Sequence, residues 1–176
     1  MLPTAQPDNS VLRVLFDHNT WANLKLLDFC EALSDEQLDT SVPGSYGSIR
    51  DTLQHIVGSE VSYVHRVNGK LPAERPTRDR FAGFAVLKQA ARWAGDELLA
   101  LALSARADTI VQEVEPPAVV RYKLASLMVQ AINHSTEHRT QVSTIITQLE
   151  LAPPDMTGWQ YMEETGGFQE TTEAES

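Results

Sequence analysis

The chain has 176 residues, 42% hydrophobic and 22% charged, with a net charge of −10. These proportions exclude a disordered chain, a collagen-like fibre and a disulfide scaffold. The acidic balance disfavours nucleic acid or an anionic membrane as partner, because Lys and Arg drive phosphate binding. No apolar run approaches the roughly 18 residues that cross a bilayer. Met1 to Ser10 lacks the basic and apolar regions of a secretory leader. The single cysteine, Cys30, cannot form an internal disulfide. The expectation is one domain in a reducing cytoplasm.

In chain order, the first long helix is predicted from about Asn9 to Leu33. Val11, Leu15, His18, Ala22, Leu26, Phe29 and Leu33 recur there at steps of three and four. Ser34-Asp-Glu-Gln37 has the pattern of a capping box opening a short helical turn. Pro43 to Gly47 reads as a loop. Ser48-Ile-Arg-Asp51 starts a second long helix, which Asn68-Gly69 ends. Its apolar face is Ile49, Leu53, Ile56, Val57, Glu60 and Val64. A second stripe, Ser48, Thr52, His55, Ser59, Ser62 and Arg66, is small and polar.

Leu71 to Arg80 is a linking loop, and the third helix is expected over about Arg80 to Ala105, weakened by Gly83 and Gly95. Thr109 to Val114 and Val119 to Tyr122 are β-prone runs on either side of Pro116-Pro117. They predict a short hairpin or an irregular extended connection, with the prolines disfavouring a primed turn. The fourth helix, about Leu124 to Glu150, is the strongest pattern, and Pro153-Pro154 ends it. Four helices with modest loops predict an all-α four-helix bundle over residues 1–162. Residues 163–176 hold five glutamates and no base, which reads as a solvated, mobile tail.

The inward seam of the fourth helix runs Leu124, Leu127, Ala131, His134, His138, Val142, Ile145 and Leu149. His134 and His138 are four apart and lie one turn above the other, so two imidazoles can reach one ion. A satisfied pair of core histidines is the plain alternative. A third ligand is needed, and His18, His55, His65 and several carboxylates are candidates. Periodicity favours His18, which lies on the apolar stripe of its helix, over His55 on the polar stripe. His134-Ser-Thr-Glu137-His138 also matches the H-x-x-E-H pattern, which makes Glu137 a candidate base or a partner to a ligand. Asn23 is a candidate ligand contact, and Ser59 a wall of a polar cavity. Cys30 is expected to be buried and inert.

Three stretches carry a resemblance to a known family. They are Asn19-Thr-Trp-Ala-Asn23, Gly44-Ser-Tyr-Gly-Ser-Ile-Arg-Asp-Thr-Leu-Gln-His55, and Ile132-Asn-His-Ser-Thr-Glu-His-Arg-Thr-Gln141, closed by Pro153-Pro-Asp-Met and Tyr161. In this order and spacing the sequence resembles the DinB/YfiT-like metalloenzyme family over about residues 10–162. The resemblance implies a four-helix bundle in which His55, His134 and His138 bind a divalent metal, zinc or nickel. His18 then becomes a pocket-lining candidate with Asn23, Ser59 and Glu137. No catalytic residue is assigned.

Three neutral histidines leave an open position on such an ion, the layout of a catalytic site. The resemblance implies either a hydrolase or an S-transferase that uses a low-molecular-weight thiol, acting on a small molecule. Basic pocket residues, Arg66 or Arg139, would suit a thiol that carries carboxylates. Closure by Asp17, Glu60 or Glu137 would speak for a structural site. A bundle that binds metal or a small ligand without turnover is the alternative function. The family resemblance also implies a homodimer, with the apolar faces of the first and third helices as the expected interface.

Overall fold

A computed structural model of the chain describes residues 10–77, 80–104, 106 and 108–167. Residues 1–9, 78–79, 105, 107 and 168–176 lie outside the described residues, and with them the expected helix ends at Asn9 and Ala105 and most of the expected tail. The described elements are α1 (Ser10–Cys30), α2 (Asp35–Leu38), α3 (Ile49–Asn68), α4 (Phe84–Ser104), β1 (Ile110–Glu115), β2 (Ala118–Lys123), α5 (Leu124–Gln148) and α6 (Gly158–Thr165). The four long helices form the expected all-α bundle. Helix α1 packs on α4 and α5, and α3 packs on α4 and α5.

The punctuation of the sequence explains most boundaries. Ser34 and Ser48 both close capping boxes, with Gln37 and Asp51 as their reciprocal partners. Gly69 caps α3 at its C-terminus. Helix α4 begins at Phe84, four residues later than expected, because Gly83 sits at φ +88°, a conformation no helix accommodates. The extended segment resolves into an antiparallel hairpin, with Ile110 opposite Lys123 and Glu115 opposite Ala118. The two prolines alone connect the strands, through a cis Pro116–Pro117 bond, and the negative φ their rings impose excludes a primed turn.

Helix α6 was not marked in the sequence. It is short and buries no residue fully, so periodicity has no apolar stripe to report. Thr157 caps it by accepting from the Gln160 N–H. The boundary expected at residue 162 falls inside it. Glu164 accepts from Trp21 Nε1 (3.0 Å) and pairs with Lys25 Nζ (2.5 Å), which fastens α6 to α1.

The core consists of two apolar clusters at different levels of the bundle. One holds Leu26, Leu27 and Cys30 of α1, Leu53 and Val57 of α3, Leu87, Ala90, Ala91 and Ala94 of α4, and Val142, Ile145 and Ile146 of α5. The other holds Phe16, Val64, Leu98, Ala102, Leu124, Leu127 and Ala131. Cys30 is buried as expected, and desolvation pushes its thiol up to about 12, so it is not a thiolate at neutral pH.

The buried face of α1 differs from the predicted stripe. Val11 and Leu15 are 74% and 46% exposed, whereas Phe16, Asn19, Ala22, Asn23, Leu26, Leu27 and Cys30 face inward. Two asparagines occupy core positions, and apolar periodicity counts such residues as outward. That is why the predicted stripe is rotated.

Helices α1 and α4 approach closely where Gly95 meets Thr20. A Cβ on Gly95 would stand 2.1 Å from Thr20 Oγ1, a hydroxyl held by its bond to the Phe16 carbonyl. Gly95→Ala is therefore expected to destabilise by about 1–3 kcal/mol through overpacking. The helix-propensity gain of alanine, about 1 kcal/mol at most, only partly offsets this. Urea unfolding tests it. Adding Thr20→Ala should recover part of the loss, and a more stable Gly95→Ala protein would contradict the packing.

Candidate metal centre

Helix α3 supplies His55 and α5 supplies His134 and His138. One ligand nitrogen from each ring lies within 4.8 Å of the others. Ring centroids are 4.8 Å apart for His55 and His134, 4.7 Å for His55 and His138, and 4.4 Å for His134 and His138. Among the described residues, this cluster contains no carboxylate and no thiol.

Each ring has defined neighbours. His55 Nε2 and His134 Nε2 confront each other at 3.0 Å. Two lone pairs cannot do so unless a proton or a cation lies between them. His138 Nδ1 stands 2.9 Å from Gln141 Oε1, and the same oxygen accepts from the Tyr46 N–H at 3.0 Å. Two donors on one oxygen fix the amide orientation. His138 therefore carries its proton on Nδ1 and keeps the Nε2 lone pair for another partner. Tyr46, from the loop before α3, stacks on His55 at 3.8 Å and 9°, and meets His138 edge-on. Tyr63 meets His134 edge-on at 5.9 Å.

Burial, and then the neighbouring His138, lower the pKa of His134 to about 4. The ring is neutral at physiological pH, the state a metal ligand requires. Its Nδ1 is buried with no hydrogen-bond partner among the described residues. Three imidazoles, with two nitrogens already confronting each other, form a donor set that suits a borderline divalent ion.

The remaining predicted residues lie elsewhere or serve otherwise. His18 Nε2 donates to the Met156 carbonyl (3.0 Å), and the ring packs on Trp21 and Tyr161, away from the triad. Those two aromatic rings line a depression of about 500 Å³ that also includes Asp17, Lys25, Arg92 and Asp96. Ser59 is half-buried one turn beyond His55, and Glu137 is exposed. Neither Asp17, Glu60 nor Glu137 joins the ligand cluster. Asn23 is buried, and its amide meets Glu60 and Arg139.

That last contact belongs to a network which sequence reasoning missed. Glu60 is fully buried, and its Oε1 accepts from Asn19 Nδ2 (2.8 Å), Asn23 Nδ2 (2.8 Å) and Ser135 Oγ (2.6 Å). Arg139 Nη1 donates to Asn19 Oδ1 (2.8 Å) and Asn23 Oδ1 (2.6 Å). Arg139 is 5% exposed, not a rim cation. Desolvation lowers its pKa to about 10 and raises that of Glu60, against the opposing pull of each on the other. Gln141 and Tyr46 were also missed as partners of the histidines. The step of three from His138 to Gln141 was the available signal.

The DinB family model matches residues 4–174. The chain belongs to the DinB family. No curated protein matches it. Among the described residues of this DinB protein, no helix is long and apolar enough to cross a membrane.

The position of His134 has a pH consequence. Its folded pKa of about 4 lies below the ordinary 6.5. Between those values the unfolded chain binds a proton that the folded chain does not, so lowering the pH favours unfolding. Through His134 the metal-free protein should lose stability as pH falls from about 6.5, and this contribution is complete below about 4. A His134→Gln variant should show a shallower fall in melting temperature over that window. An identical slope would contradict the assigned burial.

Proposed function

We propose that this DinB protein is a single-domain, cytoplasmic metalloenzyme that holds zinc or nickel on His55, His134 and His138 and acts on a small molecule. One observation supports this above the rest: three imidazoles converge, and no carboxylate or thiol joins the cluster among the described residues. Three protein ligands leave a coordination position for water or substrate, as catalytic sites do and closed structural sites do not.

When bound, the ion supplies Lewis acidity and acidifies a water or a thiol that reaches it. The chain's own residues prepare the place. Gln141 holds the His138 proton on Nδ1, which leaves Nε2 free. Low basicity keeps His134 unprotonated well below neutral pH. Tyr46 covers one face of His55 and limits access from the side of its loop.

Hydrolysis is the reading we favour over thiol transfer. A thiol that carries carboxylates calls for a free cation. Arg139 is committed to the two asparagines, and Arg66 pairs with Glu113 at 2.8 Å. An S-transferase using a low-molecular-weight thiol is the second catalytic reading, and a metal- or ligand-binding bundle without turnover is the non-catalytic one. The exposed stripe Val11, Val14 and Leu15 supports the homodimer reading. The charge of −10 supports a partner other than nucleic acid.

Metal analysis of untagged protein by mass spectrometry tests the proposal. The expected content is about one divalent ion per chain. His55→Ala, His134→Ala and His138→Ala should each lose most of it while keeping the helical circular-dichroism spectrum. A wild-type chain that takes up neither zinc nor nickel, with no change in melting temperature, would overturn the reading.

A further inference from the structure

The buried network lies at the same level of α5 as the metal-ligating pair. Ser135 directly follows His134, and Arg139 directly follows His138. Neighbouring residues on a helix differ by about 100° in direction. The network and the histidines therefore occupy two adjacent faces of the same two turns. One face reaches Asn19 and Asn23 of α1 and Glu60 of α3. The other faces His55 of α3.

Apolar contacts on either side of this level do not fix rotation by themselves, because the hydrophobic effect is non-directional. The polar contacts do. Each asparagine amide offers its oxygen to Arg139 and its nitrogen to Glu60. Flipping either amide would set N–H against guanidinium N–H and carbonyl oxygen against carboxylate. Turning α5 by one residue would tear Arg139 from both amide oxygens and Ser135 from Glu60, leaving a buried guanidinium without those acceptors and the carboxylate with one donor fewer. A buried group so abandoned costs on the order of 1–3 kcal/mol, more when charged. The network thus permits one rotation of α5.

We propose that Glu60, Asn19, Asn23 and Arg139 are positioning residues for the metal centre, fixing the rotation of α5 at which His134 and His138 meet His55. This inference rests on the metal-binding reading above. Buried ionic networks contribute little net stability compared with well-packed apolar replacements, so their distinctive effect is on geometry. An account in which the network serves stability alone predicts loss of folding and metal binding together. Positioning predicts that the two separate.

The test uses Co(II) as probe, because its visible spectrum reports ligand geometry as well as binding. The double variant Glu60→Leu/Arg139→Met removes both charges and keeps comparable volume. It leaves the buried amides of Asn19 and Asn23 without these partners, so it is expected to melt cooperatively but below the wild-type temperature, and, while still folded, to bind Co(II) at least tenfold more weakly with an altered visible band. Wild-type affinity and an unchanged band would overturn the proposal. If the double variant does not fold, Arg139→Lys carries the test. It keeps the charge but cannot reproduce the planar guanidinium contact. Co(II) affinity within about twofold of wild type would then overturn the proposal, and a clear loss with intact helicity would support it. Wild-type protein that binds neither Co(II) nor zinc would overturn the metal reading itself, and this inference with it. Binding by wild type that survives in the variants overturns this inference alone.

Discussion

A carboxylate and a guanidinium lie buried in the middle of this bundle, joined through two asparagine amides rather than directly. Glu60 receives the amide N–H groups of Asn19 and Asn23, and Arg139 gives its protons to their oxygens. Neither ion could be buried alone, because an unpaired charge away from water is far too costly. The chain through the amides spreads the charges over three helices, α1, α3 and α5. Every group in it is directional, so the relative placement of those helices follows from it.

The rest of the molecule is arranged about that layer. One apolar cluster lies to either side of it, and the connecting loops carry the serines and the glycine that cap α2 and α3. The histidines of α5 stand one residue before the polar contacts and look towards the polar stripe of α3. Tyr46 and Gln141 complete the site from the loop side, the first by stacking on His55, the second by holding the His138 proton. Fold and candidate site thus share a boundary. The buried polar layer lies directly behind the three imidazole rings.

Much of this was legible in the sequence. Serine caps, the Asn68-Gly69 stop and the Pro153-Pro154 break mark their helices by local chemistry, which acts over a few residues. The pair His134 and His138 shows in spacing alone. His55 does not, because it lies on the polar stripe of α3, off the apolar one, and periodicity points instead to His18. Only resemblance to the family brought His55 forward. The inward asparagines were illegible for a related reason. Their partners, Glu60 and Arg139, come from positions 37 to 120 residues away, and no local pattern shows that a polar side chain will be satisfied in the core. Arg139, weighed in the sequence as a pocket cation for a thiol's carboxylates, hid its buried role on the same grounds. Helix α6 depends on contacts of Glu164 with Trp21 and Lys25, again far apart in the chain.

The central claim is that three imidazoles, and no other side chain among the described residues, converge on one ion. Crystals of the zinc-loaded protein, with anomalous data collected at the zinc edge, test it most directly. The account predicts a single strong peak per chain about 2.0–2.1 Å from Nε2 of His55, His134 and His138, with the remaining position held by solvent or a small molecule. A peak bound by Glu60, Glu137 or Asp17, or no peak among the three rings at saturating zinc, would contradict it.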